Sequence, residues 1–180
     1  MPGLKRQGGV TLIESLVATT VLAIGILSLL TVQIRTLVET QTSVYRAQAV
    51  RAIEDLAERI KANPDGFGQL RAGAYASPWD ATSNAAPDAC DTNACSPADL
   101  ARSDVVQWRK TIARTLPLGR ANVFTDESVA LGDRRQLGVM VGWRANERTG
   151  DDASPFDLKV DAAGVVCPKG LICHLVYVQP

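Results

Sequence analysis

Gly9-Val10-Thr11-Leu12-Ile13-Glu14 runs straight into SLVATTVLAIGILSLLTVQI, residues 15–34. That second stretch has no charged side chain across twenty residues. As a helix it reaches roughly 30 Å, the thickness of a bilayer core. Lys5 and Arg6 stand before it, with Gly8 and Gly9 between. A short basic start followed by an apolar run has the layout of an export signal. No small-residue cleavage site with a polar mature start stands near Ile34, so the run is expected to stay in the mature protein. Glu14 is the anomaly. A charge at the bilayer centre costs about 2.5–3.5 kcal/mol on insertion scales. At the headgroup boundary it would be solvated, and in a first helical turn it would favour the helix dipole.

Basic residues do not settle the orientation of this segment. Lys5 and Arg6 lie on one side, Arg35, Arg46 and Arg51 on the other, so the positive-inside comparison is nearly balanced. The cysteines are more informative. All four, Cys90, Cys95, Cys167 and Cys173, follow the apolar run in two close pairs. An even count in an exported domain reads as disulfides, which places the carboxyl portion outside the cytoplasm. Lys+Arg and Asp+Glu number 19 each in the 180 residues, so no general attraction to nucleic acid is expected. Aromatics at 5% make a base-stacking surface equally unexpected. Apolar residues at 46% exclude a disordered chain.

The string from Gly9 to Glu14 resembles the processing site of type IV prepilins. That family has a short basic leader ending in Gly, an apolar residue, T-L-I-E or similar, and a long apolar helix. The resemblance implies that prepilin peptidase cuts between Gly9 and Val10 and methylates the new amine of Val10. Val10 stands where the family usually has Phe. Glu14 would become the fifth residue after the cut. Its carboxylate would neutralise the amine of a neighbouring subunit, or of its own chain one helical turn away. Two desolvated opposite charges attract strongly only while both are present, which would make the pair a register device in subunit assembly. Ala57-Glu58-Arg59-Ile60-Lys61-Ala62-Asn63-Pro64 further resembles the end of the long helix in minor pilins of the PilV type. The segment Ile24 to Leu27 and the helix around Trp108 are also similar to that group. This implies other minor and major pilins as partners, residence in the inner membrane before assembly, and a tip adhesin as a further partner.

The expected organisation is a leader at 1–9, one helix over 10–62 with 15–34 transmembrane, and a periplasmic head at 63–180. Asn63-Pro64 ends the helix. Tyr45, Ala49, Ala52, Ile53, Leu56, Ala57 and Ile60 recur at helical spacing, a stripe suited to packing on a sheet. Residues 63–96, rich in Pro, Gly, Asn and Asp, read as loop. Ser96-Pro97 reads as a helix start, followed by Ala101, Val105, Trp108, Ile112 and Leu116 at helical spacing. From Gly119 the period becomes two. Leu137, Val139, Val141 and Trp143 predict a half-buried strand, with further strands at 121–125, 156–160 and 173–178. The fold class is α+β, a type IV pilin-like long helix packed on a small antiparallel sheet with one further helix.

Within the head, C-x4-C and C-x5-C spacings are wider than most structural zinc pairs, so disulfides Cys90–Cys95 and Cys167–Cys173 are favoured. Four cysteines allow three connectivities, and spacing alone does not choose among them. His174 is the only histidine, and next to Cys173 on a strand it would face the opposite way, against a Cys–His nucleophile. Asp151, Asp152 and Asp157 lack a calcium-loop pattern and read as solvated turn acids. No phosphate loop, nucleophile elbow or paired-histidine helix is present. No cofactor, metal or enzymatic activity is expected. Two other readings stay open: a minor pseudopilin of a type II secretion system, and a membrane-tethered periplasmic enzyme or binding domain.

Overall fold

The computed structural model describes residues 11–81, 90, 92–125, 129–130, 133–144 and 165–179. Its elements in order are α1 (Leu12–Ala62), α2 (Gly66–Arg71), α3 (Pro97–Thr115), β1 (Arg120–Phe124), β2 (Leu137–Trp143) and β3 (Ile172–Val178). The chain divides into two compact units, Met1–Thr40 and Gln41–Pro180, and α1 begins in the first and ends in the second. The strand expected at 156–160 lies outside the described residues, as do Asp151, Asp152 and Asp157.

In the second unit, residues 41–62 of α1 carry the apolar stripe. Ala49, Ile53, Leu56 and Ile60 are buried, with Tyr45 and Ala52 packed beside them. Full burial of each large aliphatic side chain contributes about 1.5–3 kcal/mol. The helix ends because Pro64 has no N–H to continue it. Asn63 then holds the corner. It is 5% exposed, and its Nδ2 donates to the Tyr75 hydroxyl (3.0 Å) and the Pro97 carbonyl (2.9 Å). Its Oδ1 accepts from the Asp65 N–H at 3.0 Å, an Asx turn.

The stretch from 63 to 96 is not all loop, because α2 occupies six residues of it. Its glycines carry the reason. A Cβ on Gly66 would lie 1.9 Å from the Ile60 carbonyl oxygen, so glycine here permits close approach to α1. That approach seats Leu70 in the core at 0% exposure. Composition read these glycines as turn formers, whereas Gly66 serves as a spacer against the end of α1.

Helix α3 starts as the sequence indicated. The Ser96 hydroxyl accepts the Asp99 N–H at 3.2 Å, and Pro97 fills the first helical position. Ala101, Val105, Trp108 and Ile112 are buried along one face. Side chains join this helix to α1. The Trp108 Nε1–H donates to the Ala52 carbonyl at 2.6 Å, and Arg59 meets Asp104 at 3.3 Å. Burial pushes the Asp104 carboxyl above its ordinary value, and Arg59 opposes that shift.

The strands form an antiparallel sheet in the order β1-β2-β3. Ala121 pairs with Val141, and Val141 with His174. One face, with Val123, Val139, Val141 and Trp143, joins the main core with α1 and α3. The expectation of a half-buried β2 is corrected: all seven of its residues are buried. Alternation disguised this because Gly138 and Gly142 occupy the second face between Met140. That face is covered by Phe124, Trp79, Leu171 and both Cys167 and Cys173. The Cβ positions of both glycines are occupied by neighbours: the Phe124 ring at 2.4 Å for Gly138, and the Cys173 sulfur at 3.1 Å for Gly142.

Arg109 secures the segment that borders the sheet. Its guanidinium donates to Ser77 Oγ and the carbonyls of Pro78, Trp79, Ala81 and Ala121, at 2.6–3.2 Å. Ser77 in turn bridges Val123 through two backbone hydrogen bonds of 2.8 Å. Burial lowers the Arg109 pKa, yet the guanidinium keeps its charge because its ordinary value is so high.

Candidate functional site

Helix α1 begins at the segment singled out in the sequence. Thr11 precedes the first helical residue, and its Oγ1 accepts the Glu14 N–H at 3.3 Å. The Ser15 N–H meets the Thr11 carbonyl at 3.2 Å. Thr11-Leu12-Ile13-Glu14 is therefore also a capping sequence, with Thr at the cap and Glu three residues on. The Glu14 side chain is exposed in the first turn and forms no ion pair with a described residue. Gly9 and Val10 lie outside the described residues.

The turns that follow have an unusual surface for a protein in water. Leu12, Ile13, Val21, Leu22, Leu29 and Ile34 are 87%, 75%, 65%, 64%, 65% and 62% exposed. An eighteen-residue window of α1 has a mean hydropathy of 2.2 and is 0% buried, so the helix is long and apolar enough to cross a membrane. Six of its hydroxyls are already satisfied within it. Thr19 and Thr20 donate to Leu16, Ser28 to Gly25, Thr31 to Leu27, Thr36 to Val32 and Thr40 to Thr36. A hydroxyl bonded to the preceding turn can enter hydrocarbon without stranding a donor. Exposed apolar area on this scale marks a surface made for lipid or for other proteins.

The cysteines form two short-range disulfides, Cys90–Cys95 and Cys167–Cys173, with Cα separations of 5.5 and 5.9 Å. The second closes a turn in which Gly170 takes φ +79°, a left-handed conformation glycine adopts without penalty. It lies on the outer sheet face, where the Val166 carbonyl accepts the Trp79 indole N–H at 3.0 Å. Cys173 and His174 face opposite ways: the sulfur joins the outer cluster, while His174 pairs with Val141 on the core side. Burial lowers the His174 pKa, and Arg46 on α1 adds repulsion of the protonated ring. Among the described residues no three His, Cys, Asp or Glu side chains gather as a metal site.

Sequence reasoning gave no hydrogen-bonding role to Asn63 or Arg109, which among the described residues are the two polar side chains with the most long-range hydrogen bonds. The Asn-Pro dipeptide marked the helix stop but not the second use of its carboxamide. For Arg109 the available signal was its place beside Trp108 on a helix whose apolar face was already evident.

Two family comparisons bear on this arrangement. Residues 4–30 match the Prokaryotic N-terminal methylation motif, and residues 31–106 match the family Type IV pilin Tt1218. The first match takes in the start of α1 with Glu14. The second covers the remainder of α1, all of α2 and the first half of α3. No curated protein and no solved structure matches the chain. Over these two adjoining stretches, and in its α+β fold, the chain is similar to the type IV pilin family and to the N-terminal methylation motif.

Proposed function

We propose that this chain is a minor pilin of the PilV type. Prepilin peptidase removes residues 1–9 by cutting between Gly9 and Val10, then methylates Val10. Residues 15–34 hold the subunit in the inner membrane as a single pass, with residues 63–180 in the periplasm. The helix then leaves lipid for other pilins, in the filament or in a complex that primes its tip, and the assembled pilus supports adhesion or motility. The observation that carries this reading is the wholly unburied apolar part of α1 directly after the methylation motif. Glu14 supports it further, because its exposed carboxylate is free to meet the amine of a neighbouring subunit. The subunit has a structural role and no catalytic one.

The test is the intact mass and amino-terminal peptide of the membrane-extracted protein, from cells with and without prepilin peptidase. A chain beginning at methylated Val10 only when the peptidase is present is expected. Retention of Met1 to Gly9 in peptidase-containing cells would overturn the proposal. Co-isolation with pilus components, rather than with those of a type II secretion system, separates the minor pilin from a pseudopilin.

A further inference from the structure

A cavity of about 410 Å³ opens at the end of the sheet where β2 begins and β3 finishes. This volume lies within the roughly 300–1,000 Å³ of small-molecule sites. Its floor includes Gly138, which pairs with Tyr177 on β3. The missing Cβ of Gly138 leaves room for the Phe124 ring, and Phe124 meets Tyr177 edge to face at 6.3 Å between centroids. Tyr177 is thereby held upright while remaining 46% exposed. The rest of the lining is apolar Val129 together with polar Asp133, Arg134, Arg135 and Gln136 before β2, and Gln179 after β3.

Two of these groups are fixed by the backbone around them. The Arg134 Nε–H donates to the Val129 carbonyl at 3.1 Å, and its terminal nitrogen meets Thr125 Oγ1 at 3.4 Å. The Asp133 N–H donates to the Ala130 carbonyl at 2.8 Å. Among the described lining residues, Asp133 stands against Arg134 and Arg135, an excess of one positive charge. The outward guanidinium of Arg135 offers the planar fork that pairs with carboxylates.

We infer that this cavity binds an acidic sugar, a pyranose ring bearing a carboxylate. That chemistry uses the aromatic ring and each polar group of the lining. The C–H face of a pyranose packs on the exposed Tyr177 ring. Ring hydroxyls donate to Asp133 and exchange hydrogen bonds with the Gln136 and Gln179 carboxamides. The carboxylate takes the arginine fork. A simple inorganic anion would use the arginines and leave the aromatic and both carboxamides idle. A neutral sugar would leave the excess positive charge unanswered. The inference stands on the head alone and does not depend on how the amino terminus is processed.

The test uses the full chain purified in a polyoxyethylene detergent, which contributes no sugar of its own. Glucuronate is titrated by calorimetry and by saturation-transfer NMR, with glucose and inorganic phosphate as controls. Glucuronate is expected to bind with Kd of about 1 mM, and glucose at least about tenfold more weakly. Arg135→Gln, at an exposed position, should weaken glucuronate about tenfold, and Tyr177→Ala should do the same while Tyr177→Phe retains binding. Should Tyr177→Ala fail to fold, Arg135→Gln and Tyr177→Phe carry the decision. Absence of glucuronate binding would overturn the inference. So would an unchanged affinity in Arg135→Gln, or phosphate that displaces glucuronate at equal concentration.

Discussion

Replacing Arg109 with Met removes the charged fork while keeping a side chain of similar reach. Five oxygens lose their donor, but they differ in what replaces it. Ser77 and Ala121 are 4% and 1% exposed, so water does not readily reach the Ser77 hydroxyl or the Ala121 carbonyl. Pro78 is exposed, and Trp79 and Ala81 are partly so, and their carbonyls can be hydrated again. A hydrogen bond to a charged group contributes about 1.5–3 kcal/mol, so the two sheltered bonds amount to about 3–6 kcal/mol. The cation's own desolvation, which lowers its pKa, is relieved at the same time and pulls the net loss toward about 3 kcal/mol. Urea unfolding of the full chain in detergent, followed by tryptophan fluorescence, measures it. Arg109→Lys should recover less than half of the loss, since one ammonium cannot reproduce the planar spread of donors. A loss below about 1 kcal/mol in Arg109→Met, or full recovery in Arg109→Lys, would refute the account of Arg109 as a main-chain clamp.

Two other perturbations probe the sheet. Gly138→Ala places a methyl 2.4 Å from the Phe124 ring, so the ring must move and stability should fall by about 1–3 kcal/mol in the same urea assay. His174 provides a pH test, because its folded pKa is lowered by burial and by Arg46. Near and below about pH 6.5 the unfolded chain then binds more protons than the folded one, so stability present at neutral pH is lost as pH falls. Thermal melts from about pH 7.5 down to 5 should show that loss, and His174→Gln should flatten it; equal slopes in the two proteins would contradict the assignment.

The long helix and its partners were legible because their signals are local. An uncharged run of membrane length, the Asn63-Pro64 stop and the Ser96-Pro97 start each act within a few residues. The stripe from Tyr45 to Ile60 and the face from Ala101 to Ile112 were likewise legible through spacing. What escaped depended on distant chain segments meeting. The sequence around Gly66 has a loop composition, but Leu70 joins a core shared with α3 and the sheet, and α2 carries it there. Strand β2 alternates, yet its glycines receive Phe124 and Cys173 from neighbouring strands, so both faces are closed. Of the candidate site, the carboxylate of Glu14 in a first helical turn was readable from its neighbours. The cavity was not, since it joins residues from 129–138 to Tyr177 and Gln179, which no periodicity links.

The Trp108 contact has a consequence for how freely this protein can vary. The atom it grips on α1 is the Ala52 carbonyl, which every residue type possesses. The bond therefore places no demand on the chemistry of position 52, only on its bulk, since Ala52 packs partly into the core. Substitution of Ala52 by Ser or Gly should leave the attachment of α3 to α1 in place. Loss of the indole at position 108 has no substitute of that kind. The evolutionary burden of this joint falls on one side of it, and the helix surface beneath is left room to drift.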